Sequence, residues 1–332
     1  MKVGVVGAGS WGTALAKLAV ELGHDVMLWA YEPEVVQQIT VQHVNAAYLP
    51  GVELPAMQVT GELEQVVRDQ DLLLSVVPSH VVREVWSRAG AAITGEPLVV
   101  SATKGIENVT LVTMVEVLRE IVPRRLHSRL AALSGPSFAV EVARRLPTAV
   151  VVAAQQIDVA QQVQQALSGD RFRIYTSDDL PGVEVGGAAK NVVAIAAGIA
   201  DGLGLGHNTR AALITRGLAE IGRLAVAKAG NPLTLAGLAG MGDLVLTCTG
   251  ELSRNRSVGV QLGQGVSLPQ IQAGTRAVAE GIHSARACHD LARRLGVEMP
   301  ITEEVHAVLY ADRSPQDAVE RLMGRRLKRE LA

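Results

Sequence analysis

Lys190 is the only charge in the run Val185-Gly186-Gly187-Ala188-Ala189-Lys190-Asn191-Val192-Val193-Ala194-Ile195, an apolar, small-residue stretch of helical cast. Surface helices normally carry several charges. The residue is therefore either a rim lysine snorkelling to solvent or one placed where burial lowers its pKa and suits it to proton transfer. Farther along, Ser253-Arg254-Asn255-Arg256 sets guanidinium forks among neutral donors, a pattern suited to phosphate, although Ser253 reads equally well as a helix N-cap. Asp243, at the end of Gly240-Met241-Gly242-Asp243, could orient a lysine, bond a substrate hydroxyl or cap a helix. The eight histidines show no HExxH or close paired spacing, and neither Cys248 nor Cys288 has a neighbouring ligand, so no metal is expected.

A second constellation works through backbone. The apolar run at residues 3–6 passes into Gly7-x-Gly9-x-x-Gly12 and then into helix formers. In that order, Gly7 permits a tight turn, Gly9 lets a pyrophosphate approach the backbone, and Gly12 lets a helix pack on the strand. The phosphates would meet free N–H groups at the positive end of the helix. A carboxylate about 20 residues past the last glycine bonds the adenosine ribose in such sites. Glu32 sits at that distance behind Tyr31; it is either that carboxylate or a solvated loop residue turned away by Pro33. A nicotinamide site also needs an acid for the developing alkoxide, which without a metal is a lysine, an arginine or a carboxylate; Lys190 is the most unusual candidate.

The elements that must hold these groups follow an alternating pattern. Near-continuous apolar runs at residues 25–30, 71–77 and 97–102 read as strands covered on both faces, with further strands at 129–133, 147–153 and 171–176. A helical segment at 79–92, with Ser79 as its N-cap, separates two of them. The prediction is an α/β fold: an N-terminal doubly wound, Rossmann-like parallel sheet. Ligands gather at the C-terminal ends of such strands. Pro78-Ser79, Thr103-Lys104-Gly105 and Ser134-Gly135-Pro136-Ser137-Phe138-Ala139 all fall there. Beyond about residue 178 only Ala- and Leu-rich helical stretches follow, at 183–200, 209–229, 278–295 and 302–311. Pro181 and Gly182 punctuate the boundary, giving a dinucleotide-binding domain over 1–180 and an all-α substrate domain over 181–332.

The chain has 332 residues, which favours two domains. With 48% hydrophobic and 19% charged residues it reads as globular, and aromatics at 3% leave the core to Val, Leu, Ile and Ala. A net charge of -2 gives no footprint for nucleic acid. No apolar run approaches the ~20 residues of a bilayer span, so an integral membrane protein is not expected. The first strand leaves no room for a signal peptide, and two cysteines give no disulfide framework, which points to a cytoplasmic setting. The basic segment 324–329 reads as a solvated face at a helix C-terminus.

Six stretches in order resemble the NAD(P)-dependent glycerol-3-phosphate dehydrogenases over nearly the whole chain. They are Gly7-Ala8-Gly9-Ser10-Trp11-Gly12-Thr13-Ala14, Ser134-Gly135-Pro136-Ser137-Phe138-Ala139, Lys190-Asn191 leading to Gly198-x-x-Asp201-Gly202, Gly240-Met241-Gly242-Asp243-Leu244, Ser253-Arg254-Asn255-Arg256 and Val278-Ala279-Glu280-Gly281. The resemblance implies reversible reduction of dihydroxyacetone phosphate to sn-glycerol 3-phosphate, feeding glycerophospholipid synthesis. It implies that Lys190 is the proton donor and acceptor. Ser10, Trp11, Lys104, Ala139, Arg254, Val278 and Glu280 match cofactor positions. Lys104, Gly135, Ser137, Asp243, Ser253, Arg254 and Asn255 match substrate positions. It is compatible with a homodimer and places the site in a cleft between domains.

One departure concerns the cofactor. Many relatives carry arginine where this chain has Tyr31, followed here by Glu32. Arginine would pair a 2′-phosphate and a carboxylate would repel it, so NADP preference is expected to be weaker, with NAD at least accepted. Two other functions fit parts of the pattern: a two-domain dehydrogenase of a hydroxy acid or sugar acid, and a dinucleotide sensor without turnover. The sensor would need none of Lys190, Asp243 and Arg254.

Overall fold

The computed structural model describes residues 1–274, 278–327 and 329–330. The strands of the main sheet are β1 (Lys2–Val6), β2 (Asp25–Trp29), β3 (Gln58–Thr60), β4 (Leu72–Ser75), β5 (Leu98–Ser101), β6 (Leu130–Ser134), β7 (Thr148–Ala154) and β8 (Phe172–Ser177). They lie side by side in the order β8-β7-β6-β5-β4-β1-β2-β3. β1 is flanked by β2 and β4, both parallel to it, so the order reverses there and opens a crevice at the carboxyl ends of these strands. β4 and β5 are buried at every position, which explains their unbroken apolar sequence.

The expected doubly wound sheet is present, but it is not wholly parallel. β7 runs antiparallel to β6, and β8 follows β7 in parallel. The link from β6 to β7 holds only a five-residue helix, Ala139–Ala143, so the chain turns back instead of crossing over. β3 and a small hairpin, Val44–Asn45 with Leu49–Glu53, have no counterpart in the sequence reading. β3 is three residues long and only partly buried, too short for a periodic pattern.

The helices that concern the site are α1 (Ser10–Glu21), α2 (Leu180–Gly202), α3 (Gly206–Ala227), α4 (Asp243–Thr249), α5 (Arg254–Gly263), α6 (Glu280–Leu295) and α7 (Pro300–Tyr310). After β8 the described residues contain no further strand. Pro181 and Gly182 open α2 instead of breaking the chain: proline fits the first turn, and the Asp179 carboxylate accepts the Gly182 N–H at 3.1 Å. α2 also corrects an expectation about apolar length. It has 23 residues, and an 18-residue window within it has a mean hydropathy of 1.4, enough by length and composition to cross a membrane, yet 94% of that window is buried inside the protein. It is the core helix of the second hydrophobic cluster, which explains the composition.

α5 packs on α2 at backbone distance. A Cβ on Gly198 would lie 2.1 Å from the Arg256 carbonyl, and one on Gly259 would lie 2.1 Å from the Ile195 carbonyl. Gly202 and Gly263 repeat the contact one turn on. Two carboxylates, Glu220 buried and Glu184 partly so, fasten other helix starts. Glu184 of α2 accepts from Thr113 Oγ1 and the Val115 N–H at the start of helix Met114–Ile121. Glu220 of α3 accepts the Ile301 and Thr302 N–H groups at the start of α7. The basic segment follows helix Pro315–Met323, as expected for a helix C-terminus; Lys328 lies outside the described residues.

Candidate active site

At the end of β1, Gly7 takes φ +120, a backbone that L side chains rarely adopt. Gly12 is pressed against it: a Cβ there would meet the Gly7 carbonyl at 1.8 Å, so Gly12 serves packing and does not line the cleft. A Cβ on Gly9 would meet nothing within 4 Å, because its open side is the cleft. Gly9 is the N-cap of α1 and no side chain caps the helix, so the first N–H groups stay available for an anion. Trp11 Nε1, buried and without a partner among the described residues, lies on the same lip. These features fit a dinucleotide pyrophosphate.

Beyond β2, Pro33 does not turn Glu32 away. It starts the short helix Pro33–Gln37, and Glu32 lines the cleft with its carboxylate accepting from the Tyr48 hydroxyl at 2.6 Å. Tyr31 also lines the cleft but is 75% exposed. The Ser10 hydroxyl donates to the Tyr48 carbonyl at 2.5 Å, so the side chain proposed for the cofactor also ties the glycine turn to the hairpin.

The charged heart of the cleft is one carboxylate between two lysines. Asp243 begins α4 and is buried; Oδ2 accepts from Lys104 Nζ at 2.7 Å, and Oδ1 accepts from Lys190 Nζ. Lys190 Nζ also donates to Thr247 Oγ1 at 2.7 Å, and Lys104 Nζ to the Gly135 carbonyl at 2.9 Å. Lys190 is buried, so it is no snorkelling surface lysine. Burial draws its pKa down to about 8, with the Asp243 charge opposing the fall. Burial works against ionisation of Asp243 too, but the two lysines outweigh it and hold that carboxyl below its ordinary range. Gly135 takes φ +124 under the Val150 backbone and offers its carbonyl instead of lining the cleft. Ser137, beside it, donates to the same carbonyl at 2.9 Å.

On the helical wall the neutral residues around Arg254 have structural work. Ser253 is the N-cap of α5, accepting the Arg256 N–H at 3.2 Å. Asn255 is buried, donating to Asn191 Oδ1 and accepting the Gly281 N–H, each at 2.8 Å. Arg254 is exposed to the cleft and carries no hydrogen bond or ion pair to a described residue. Arg256, by contrast, is committed to Asp201 at the end of α2. Glu280 opens α6 and reaches across to Ser79, accepting from its N–H at 3.0 Å and from its hydroxyl. The Ser79 side chain is thus not the expected helix cap; it joins the two walls.

Of the residues singled out from the sequence, Gly7, Gly9, Ser10, Trp11, Tyr31, Glu32, Lys104, Ser137, Ala139, Lys190, Asp243, Ser253, Arg254, Asn255, Val278 and Glu280 line one cleft of about 850 Å³. Gly12 and Gly135 lie behind its surface. Thr247 and Tyr48 were missed. Thr247 is four residues after Asp243 on a helix, a legible spacing; Tyr48 gives no local signal. Among the described residues no three His, Cys, Asp or Glu side chains gather into a metal-holding group.

Along nearly its whole length the chain is similar to known proteins. Family profiles described as NAD-dependent glycerol-3-phosphate dehydrogenase N-terminus and C-terminus match residues 2–160 and 179–320. Glycerol-3-phosphate dehydrogenase [NAD(P)+] of Syntrophobacter fumaroxidans is 54% identical over 330 residues, 99% of this chain and 97% of the relative. That of Citrifermentans bemidjiense is also 54% identical, over 99% and 98%. The crystal structure of glycerol-3-phosphate dehydrogenase from Coxiella burnetii superposes with a TM-score of 0.93 at 42% identity, covering 98% of this chain and 99% of that one. Matched by both family profiles and by relatives of this identity over nearly its full length, the chain belongs to the NAD-dependent glycerol-3-phosphate dehydrogenase family.

Proposed function

We propose that this protein catalyses the reversible NAD(P)H-dependent reduction of dihydroxyacetone phosphate to sn-glycerol 3-phosphate, with Lys190 as the proton donor and acceptor. The observation that carries it is the buried Lys190 Nζ, held by Asp243 and Thr247 in the cleft that also contains the uncapped start of α1. Residues 7–11 and the Lys104, Arg254 and Glu280 side chains would hold the dinucleotide. When bound, the reduced nicotinamide supplies the hydride and its oxidised form takes it back.

Lys190 Nζ gives a proton to the oxygen that becomes the secondary hydroxyl and recovers it in the oxidative direction. A pKa near 8 suits both directions, since each protonation state is accessible close to neutrality. Asp243 fixes the ammonium group, and Lys104 shares the carboxylate so that its charge stays balanced when Lys190 is neutral. Arg254, whose donors are uncommitted among the described residues, takes the phosphate and orients the carbonyl. A division into a dinucleotide domain over 1–180 and a helical substrate domain over 181–332 belongs to the same proposal, supported by the end of the sheet at Ser177. So do the cytoplasm as compartment and phospholipid synthesis as destination.

The test is a screen of purified protein with NADH and NADPH against dihydroxyacetone phosphate, dihydroxyacetone and 2-keto acids, followed by cofactor absorbance. Rapid oxidation with the phosphorylated ketone alone is expected. Turnover of the acids instead, or none at all, would overturn the assignment.

A further inference from the structure

Glu32 does not hang free at the end of β2. Its Oε1 accepts from the Tyr48 hydroxyl at 2.6 Å, and both residues line the cleft on the side of the glycine turn. Tyr48 is itself anchored to that turn through its backbone. Its carbonyl accepts from Ser10 Oγ at 2.5 Å, and its N–H donates to Asn45 Oδ1 at 3.2 Å. Asn45 is fully buried and donates through Nδ2 to the Ala8 carbonyl and to Thr13 Oγ1, each at 2.9 Å. The hairpin that carries Asn45 and leads into Leu49–Glu53 is thus clamped to the loop between β1 and α1. One consequence is geometric: the phosphate-facing turn and the carboxylate at the end of β2 are held in fixed register by a single strap.

We propose that Tyr48, positioned by this strap, holds the Glu32 carboxylate at the ribose end of the cleft as the group that discriminates against a 2′-phosphorylated dinucleotide. The inference rests on the dinucleotide-binding role proposed above. A carboxylate accepts hydrogen bonds from ribose hydroxyls and repels a phosphate at the same point. A long, flexible glutamate discriminates poorly if it can swing into solvent, because the repulsion is then relieved at little cost. Tethering by the phenol removes that escape. Tyr48 is accordingly a positioning residue, acting through Glu32 on cofactor choice and not on the reacting atoms.

Equilibrium titration of the whole protein with NADH and NADPH, read by protein or cofactor fluorescence, tests this without reliance on turnover. The wild type is expected to bind NADH about tenfold or more tightly than NADPH, the loss expected where one charged contact turns from attractive to repulsive. Glu32→Gln should collapse that ratio, and Tyr48→Phe should shrink it in the same direction while leaving Tm nearly unchanged. The double variant should show no further shift in ratio. A Tyr48→Phe ratio equal to wild type, beside a collapsed Glu32→Gln ratio, would overturn the positioning role alone. Equal or tighter NADPH binding by the wild type would overturn the discrimination by Glu32. Failure to bind either dinucleotide would overturn the dinucleotide role and the inference with it. Arg88, a cation that also lines the cleft, serves as a control: selective loss of NADPH binding in Arg88→Ala, with a Glu32→Gln ratio equal to wild type, would assign the choice to Arg88 instead.

Discussion

The two walls of the cleft use glycine for opposite purposes. On the sheet side, Gly7 and Gly135 take φ of +120 and +124, so what they supply is a backbone conformation. On the helical side, Gly198, Gly202, Gly259 and Gly263 sit in ordinary helix, and what they supply is the absence of a side chain between α2 and α5. Their chemistry divides the same way. The sheet wall offers backbone N–H groups at the start of α1 together with the Glu32 and Lys104 side chains, whereas the helical wall works through side chains, Lys190, Asp243 and Arg254 among them. Backbone presentation binds a cofactor with little cost in side-chain order, and buried side chains carry the proton transfer that backbone cannot.

Removing chemistry from one wall should leave the other intact, and that separation can be broken by experiment. Lys190→Ala is expected to lower kcat by about 10²–10⁴-fold, the usual worth of a general acid, with NADH binding close to wild type. A parallel collapse of NADH affinity would show that the walls are not separable. Arg254→Ala should cost about 2–5 kcal/mol in kcat/KM for dihydroxyacetone phosphate if the pair with phosphate is desolvated. Unchanged kcat/KM would place the phosphate elsewhere.

The glycines give a finer contrast. Gly259→Ala drives a methyl into the Ile195 carbonyl and should destabilise the fold by about 1–3 kcal/mol, seen in denaturant unfolding, while raising KM for the ketone by parting α2 from α5. Gly9→Ala meets open space at φ -66 and should leave stability untouched while weakening NADH binding. The reverse pattern would mean that the two glycine roles have been assigned to the wrong walls.

Smaller effects come from pH. Reduction uses protonated Lys190, so its kcat/KM should fall as pH rises through about 8, and the oxidative reaction should gain over the same interval. Glu184 and Glu220 are raised by burial from 4.5 to about 7. The native state then holds their protons more tightly than the unfolded chain. The stability they contribute is present below about 4.5 and is lost as pH rises toward about 7. Glu184→Gln should flatten part of that decline in urea titrations run at several pH values.

Much of this was legible in the chain itself. Strands β4 and β5 announced themselves because both their faces are buried, which forces continuous apolar sequence. The glycine turn was legible because its three glycines answer to three local constraints. The antiparallel turn of β7 was not, since apolar content at residues 147–153 says nothing of direction. Nor was β3, whose three residues, none of them fully buried, carry no period. In the site, Lys190 stood out because a lone charge in an apolar helix is costly. Thr247, four residues past Asp243, is legible from helical spacing alone. Tyr48 was invisible, because its partner Glu32 lies on another element.

The sequence by itself determined the dinucleotide turn, the alternating α/β half, the helical half and the identity of the ionisable residues, because each of those depends on neighbours within a turn or a strand. Only the tertiary structure decided which of them meet. Asp243 could have capped a helix, oriented a lysine or bonded substrate; the close approach of α2, α4 and the loop after β5 made it the bridge between Lys190 and Lys104. Ser253 and Asn255 read as neutral donors beside Arg254; the fold also gives Ser253 the cap of α5 and Asn255 a contact with Asn191, while both still line the cleft. The physical reason is the same in each case. A polar group's partner is fixed by what the fold buries beside it, and burial is a property of the packed chain.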